Sequence, residues 1–160
     1  MSILGNVGTV YSAAPNLMNV CIDRNFGNEI TGRCYNRYSP YPVQFDGMNH
    51  LFIRMDQLMD TIDFPQSSTK NREFFKRQRC KTDGGTVKVK TAEEILKESG
   101  KKATFVVNVA YRQNATWQGK VLWAETGQSC YFRSALELMK LIDNALDEGE
   151  EAADNQQEQS

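Results

Sequence analysis

Apolar residues recur at three- and four-residue intervals in two places along the chain, and in each the spacing predicts an amphipathic helix. The first stripe is Met48, Leu51, Phe52, Met55, Leu58, Met59 and Ile62. Asp46 is placed to act as its N-cap, and Pro65 sets its far limit because a proline disfavours helical geometry in the residue before it. The second stripe is Ala135, Leu138, Met139, Leu141, Ile142, Ala145 and Leu146, preceded by Ser134 and Glu137 at capping-box spacing. Upstream of each helix the pattern changes to strand-forming runs broken by turn chemistry. Residues 18–24 and 29–38 flank the turn Asn25-Phe26-Gly27-Asn28, and residues 105–111 and 116–124 flank Arg112-Gln113-Asn114-Ala115. A third short strand follows each hairpin, at 41–45 and 128–132.

A single offset of 87 residues lays one half of the chain on the other without gaps. Gly32 falls on Gly119, Phe45 on Phe132, Leu51 on Leu138, Asp56 on Asp143 and Asp60 on Asp147, while Ile22 meets Val109, Ile30 meets Trp117, Arg33 meets Lys120 and Met55 meets Ile142. The identities are few, and the weight lies in strands, turns and helical stripes agreeing in one register. One three-stranded sheet with one helix has little with which to bury its apolar face, so two copies are expected to pack together. The predicted fold is therefore α+β: tandem duplicated β-β-β-α units about a pseudo-two-fold axis, with the groove between copies as the expected ligand site. Residues 1–65 form the first copy, 66–102 a basic linker, 103–148 the second copy and 149–160 an acidic tail. Within the linker, Thr91 and Glu94 form a capping box, Ile95 and Leu96 a small apolar face, and Gly100 a stop. Val87 and Val89 alternate with lysines as a charge-protected edge strand.

Composition narrows the function classes only modestly. The 160 residues carry a net charge of −1, and no run approaches the roughly 18 apolar residues of a membrane span. The expected setting is cytoplasmic, without membrane association, as a monomer or homodimer. Cys21, Cys34, Cys80 and Cys130 include no C-x-x-C pair, and His50 is the only histidine, so neither a structural zinc site nor a dithiol redox centre is indicated. Three of the cysteines sit in apolar strand contexts and read as small hydrophobes. Cys80, among Lys76, Arg77, Arg79 and Lys81, has the setting of a reactive thiol. Asp56, Asp60, Asp143 and Asp147 fall on polar helix faces and read as solvated carboxylates rather than metal ligands. No Walker loop, G-x-S-x-G or H-E-x-x-H motif occurs, and no cofactor is implied.

Charge is nevertheless segregated. Residues 70–90 hold eight bases against two acids, and residues 143–160 hold seven acids and no base. The end of that segment is rich in Glu and Gln and nearly free of large apolar residues, the composition of a disordered tail. Arg72, Phe74, Phe75, Lys76, Arg77 and Arg79 interleave aromatics with cations, as surfaces that bind single-stranded nucleic acid do; a linker whose phenylalanines tuck onto the core is the plainer alternative. Trp117 and Trp123, evenly spaced, share one sheet face, and with Tyr111 and Tyr131 they make the second hairpin aromatic.

Two resemblances add to this reading. Arg33-Cys34-Tyr35-Asn36-Arg37 with Asn114-Ala115-Thr116-Trp117-Gln118-Gly119 resembles the two motifs of PilZ domains, which implies a cyclic dinucleotide held by Arg33 and Arg37. Here Thr116 stands where serine is usual, and the motifs are farther apart than in that family. The segments Tyr111-Arg112-Gln113-Asn114-Ala115-Thr116-Trp117-Gln118-Gly119 and Phe132-Arg133-Ser134-Ala135-Leu136-Glu137-Leu138 resemble a group of short proteins from Clostridia-like bacteria, which implies a bacterial cytoplasmic setting and no catalytic residues. The leading expectation is a non-enzymatic binding or adaptor protein that holds a protein or small ligand through Arg33, Arg37, Tyr111, Arg112 and Trp117. A nucleic-acid-associated regulator working through the basic-aromatic stretch is the alternative, and a cyclic-dinucleotide binder the third.

Overall fold

In the computed structural model, which describes residues 14–27, 29–69, 72–75 and 87–157, six antiparallel strands form one sheet. The strands are β1 (Met18–Phe26), β2 (Glu29–Asn36), β3 (Val43–Asp46), β4 (Ala103–Tyr111), β5 (Gln118–Trp123) and β6 (Gln128–Phe132). Among the described residues there are three helices: α1 (Met48–Ile62) after β3, α2 (Ala92–Leu96) before β4, and α3 (Ala135–Gln157) after β6. The strand order is β3-β2-β1-β4-β5-β6. Two three-stranded meanders are thus joined edge to edge where β1 pairs with β4, Met18 opposite Val107 and Ile22 opposite Ala103.

Alternation along the strands explains why both α1 and α3 lie on one face. Met18, Val20 and Ile22 of β1 and Phe105, Val107 and Val109 of β4 point to that face, where they pack with Leu51, Met55 and Met59 of α1 and Leu138 and Ile142 of α3. Each such side chain contributes about 2 kcal/mol of burial. The opposite face holds Cys21, Tyr35, Val106 and Leu122, covered by Ala92, Ile95 and Leu96 of α2. The inner halves of β1 and β4 are consequently buried on both sides.

The register of the first meander recurs 87 residues later. Val20 lies opposite Cys34 and Val107 opposite Val121; Gly32 opposite Phe45 and Gly119 opposite Phe132. Register breaks fall between Ile22 and Arg24 in β1 and between Val109 and Tyr111 in β4. At each break a neighbouring strand must come close, and only glycine permits it. A Cβ on Gly32 would lie 2.0 Å from the Cys21 carbonyl oxygen, and one on Gly119 would lie 2.1 Å from that of Asn108. The phenylalanine ring of the next strand fills the space each glycine leaves, with Cζ of Phe45 and Phe132 at 3.0 and 2.8 Å from those built positions.

Several local expectations are corrected. Asp46 ends β3 instead of capping α1; Gly47, at φ 92°, is the N-cap and makes no side-chain cap bond, while the Asp46 amide donates to His50 Nδ1 at 3.2 Å. Ser134 does cap α3, accepting from the Glu137 amide at 3.0 Å, but Glu137 reaches past the cap to accept from the Arg133 amide. The box at Thr91 and Glu94 is complete. Residues 87–89 form no strand; Val89 and Lys90 instead donate their amides to the Arg37 carbonyl, at 2.8 and 3.0 Å. The acidic tail is not disordered throughout, since α3 continues to Gln157. Alanine, Glu and Gln are good helix formers, and a helix already nucleated by packing extends through them cheaply.

Gly32→Ala and Gly119→Ala are each expected to destabilise the protein by about 3 kcal/mol, because backbone must move to admit the methyl. Gly149→Ala, in α3 with nothing within 4 Å of the added atom, should stabilise by about 0.5–1 kcal/mol. Urea unfolding followed by far-UV circular dichroism distinguishes the two directions.

Candidate functional site

The face covered by α2 contains a cavity of about 250 Å³ at the junction of the two meanders. Its floor is the central sheet, with Asn19 from β1, Val106 from β4 and Leu122 from β5, continued by Ala124. One wall is the end of α2 and the following turn, Leu96, Lys97, Glu98 and Ser99; Thr104 and Glu125 form the other. Among the described residues, α2, five residues long, covers only part of this face, and the cavity opens beside its end.

Asn19 is the decisive residue. It is wholly buried in the middle of an apolar strand, and its Nδ2 donates to two carbonyls at the end of α2, those of Ile95 at 2.6 Å and Glu98 at 2.9 Å. Both partners only accept, so the amide cannot be turned over without losing them. Its Oδ1 therefore has a fixed orientation, and this buried atom has no hydrogen-bond partner. A buried carbonyl oxygen left unpaired costs about 1–3 kcal/mol. Two neighbouring groups make bonds of their own: Thr104 Oγ1 accepts from the Gly100 amide at 2.9 Å, and Glu125 Oε2 accepts from the Thr104 amide at 2.9 Å.

Arg33 frames the same face. Its Nε and Nη2 grip Asp23 at 2.8 and 3.1 Å, Nη1 donates to the Tyr35 hydroxyl at 2.7 Å, and Nη2 also reaches the Ser99 carbonyl at 3.0 Å. The guanidinium hydrogen bond holds the Asp23 carboxyl below the usual carboxylate range, and burial pushes the Tyr35 phenol up. Arg33 is thus the tie that fixes the turn after α2 against the sheet. Arg37 lies beyond the end of β2, its Nε donating to the Lys90 carbonyl at 3.3 Å. The two arginines, expected to share one strand, therefore do not: Arg33 lies in β2 and Arg37 beyond its end.

The remaining expected residues sit elsewhere. Tyr111 is exposed at the end of β4, whereas Arg112 beside it is buried. Arg112 Nη1 pairs with Asp60 at 2.7 Å and Asp56 at 3.4 Å, and its Nε donates to the Pro65 carbonyl at 2.7 Å. Asp56 and Asp60, expected on a solvated face, instead bind α1 to the other meander. Trp117 is 9% exposed and stacks on Phe52 of α1, centroids 5.4 Å apart and planes 6° from parallel. Trp123 joins the same helix-side cluster, so the shared face of the two tryptophans is observed. Phe74 and Phe75 are fully and largely exposed, at 101% and 85%, and so do not tuck onto the core. Arg72 is exposed too, while Lys76, Arg77, Arg79 and Cys80 lie outside the described residues.

Burial pushes the thiols of Cys21 and Cys34 up to about 12, so both stay protonated near neutrality and behave as small apolar side chains. Cys130 is exposed, against the expectation, on β6, the edge strand of the sheet. A second cavity of about 340 Å³ opens there, between Trp123, Cys130 and α3. Among the described residues no group of three or more His, Cys, Asp and Glu is placed to hold a metal.

Asn19, Thr104 and Glu125 were not among the residues singled out in the sequence. The available signal was an asparagine between Met18 and Val20, where strand alternation in a two-sided core leaves a polar residue without an obvious partner. Comparison of the chain with protein-family models, curated proteins and solved structures finds no match.

Arg112→Met is expected to cost about 3 kcal/mol, at the lower end for breaking a buried ion pair because Asp56 and Asp60 are each about one-third exposed and can rehydrate. Arg112→Lys should recover little, since one ammonium cannot reach both the carboxylates and the Pro65 carbonyl in the same geometry. Equilibrium urea denaturation at neutral pH checks both values.

Proposed function

We propose that the chain is a non-enzymatic binding protein that holds a small ligand in the cavity between two duplicated β-β-β-α units. The observation that carries the reading is Asn19, a residue lining that cavity whose buried Oδ1 is an acceptor of fixed orientation with no protein partner. A hydrogen-bond donor on a ligand would complete it. The apolar floor of Val106, Leu122 and Ala124 suits the ligand's body, in the usual division of a small-molecule site into apolar lining and a few placed polar groups.

The duplication reading draws support from geometry. Ladder partners, register breaks and the glycine–phenylalanine pairs repeat at an offset of 87, as do the first residues of α1 and α3, Met48 and Ala135. At that offset Asn19 corresponds to Val106, and these two residues lie opposite each other where β1 meets β4. A two-fold relation between the units would therefore pass through this pair, in the floor of the cavity. The asparagine stands where the second unit has valine, so the polar group is an addition to one copy and not a requirement of the fold. A bacterial cytoplasmic setting belongs to the same reading; among the described residues no helix is long and apolar enough to cross a membrane.

The exposure of Phe74 and Phe75 beside Arg72 favours a second reading, in which the basic-aromatic stretch stacks on single-stranded nucleic acid.

In a fragment panel followed by amide and methyl chemical-shift changes, binders are expected to perturb Asn19, Thr104, Val106 and Leu122 together. Leu122→Trp, which fills the cavity, should abolish those changes while the protein stays folded by circular dichroism. Perturbations that bypass these residues, or that survive the filled cavity, would overturn the pocket reading. For the second reading, retention on a single-stranded nucleic-acid matrix should fall steeply with salt and be lost when Arg72, Lys76, Arg77 and Arg79 are changed to Gln; absence of retention at low salt removes it.

A further inference from the structure

The polar groups of the cavity are unequal in kind, and this inequality bears on what enters it. The Asn19 amide can present only its oxygen, because both Nδ2 hydrogens are committed to the Ile95 and Glu98 carbonyls. Glu98 and Glu125 add carboxylates to the same lining, against one cation, the exposed Lys97. The Glu125 oxygen that accepts from Thr104 leaves its second oxygen for another donor. Below the two carboxylates lie Val106 and Leu122. The cavity, about 250 Å³, exceeds the roughly 150 Å³ that accommodates a benzene ring in a protein core.

We infer that the pocket selects a small primary amine with a compact apolar body, its ammonium held by Asn19 Oδ1 and the Glu98 and Glu125 carboxylates; this rests on the pocket reading above. An ammonium brings three donors and no acceptor, matching a site whose placed groups are acceptors. A hydroxyl brings one donor and would leave the carboxylates unused. A carboxylate ligand would face two like charges and an amide oxygen, an arrangement that rejects it. The mouth of the cavity leaves the glutamates partly hydrated, so the charged pair forms without the full penalty of burying both ions.

The test uses the full chain at pH 7 and 150 mM salt, titrated with cyclohexylamine, cyclohexanol and cyclohexanecarboxylate and read by chemical shift at Asn19, Val106 and Leu122. Cyclohexylamine is expected to bind at least tenfold more tightly than cyclohexanol, and cyclohexanecarboxylate not at all. The double variant Glu98→Gln, Glu125→Gln retains the acceptor for the Thr104 amide; it should weaken cyclohexylamine about tenfold and leave cyclohexanol within twofold. If cyclohexanol binds at the pocket as tightly as the amine, or the double variant leaves amine affinity unchanged, the amine preference is wrong and the pocket reading stands. If none of the three shifts these residues, or the amine shifts only the acidic end of α3, both fail. Leu122→Trp separates a response inside the cavity from one at its charged rim: a true pocket complex disappears, and persistence of the amine response overturns the proposal.

Discussion

The pairing of β1 with β4 is the contact on which everything else depends. Each meander alone would expose one long strand edge, a row of unpaired amides and carbonyls, and one helix could cover only part of its apolar face. Antiparallel pairing of Met18–Ile22 with Ala103–Val107 removes both edges at once and aligns the helix-facing side chains of the two halves into a single stripe. Phe105 and Val107 then lie beside Val20 and Met18, so α1 and α3 share one core instead of holding two small ones. The sheet edges that remain are the short strands β3 and β6, four and five residues long, which offer little template for further pairing.

The junction is reinforced by groups that reach from one half to the other. Arg112, at the end of β4, grips Asp60 of α1, and Asn25, at the end of β1, donates to Glu150 of α3 at 3.0 Å. Positions 25 and 112 are 87 apart, so each helix is held by the far end of the other half's first strand. The two ties differ greatly in strength. One is a buried guanidinium with three oxygen partners; the other is an exposed amide contact that solvent can replace. The Phe52–Trp117 stack adds to the stronger side. The half-to-half fit is therefore anchored at the α1 end.

Elements carried by periodicity were legible in the sequence. The helical stripes follow from spacing, and turn chemistry marks the strands up to 128–132, while the offset of 87 does not say that β1 would pair with β4. Polar residues were read less well, because sequence gives their chemistry but not their company. Arg112 and the aspartates of α1 look like surface groups until β4 is laid beside α1, and only the fold brings Pro65 within reach of the same guanidinium. Arg33 and Arg37 look like a pair until the strand ends between them. Capping was misread where a carboxylate before a helix proved to be the last residue of a strand, with Gly47 making the corner by a positive φ that the sequence does not announce.

The pocket was expected between the halves but not with the residues that line it, and the reason is physical. Its polar character comes from one asparagine in a strand whose other inward positions are apolar, and from a wall supplied by the connecting segment. The helix-side core is built of apolar and aromatic side chains from the sheet and from α1 and α3. On the opposite face, among the described residues, the short α2 supplies much of the cover, so Asn19 bridges to the carbonyls at its end while its own buried oxygen stays without a protein partner. A connection of some forty residues would be wasteful if it only joined β3's helix to β4. By laying five helical residues beside the junction, it covers part of that sheet face next to the cavity, and Asn19 ties this cover down through its Nδ2 bonds to the Ile95 and Glu98 carbonyls.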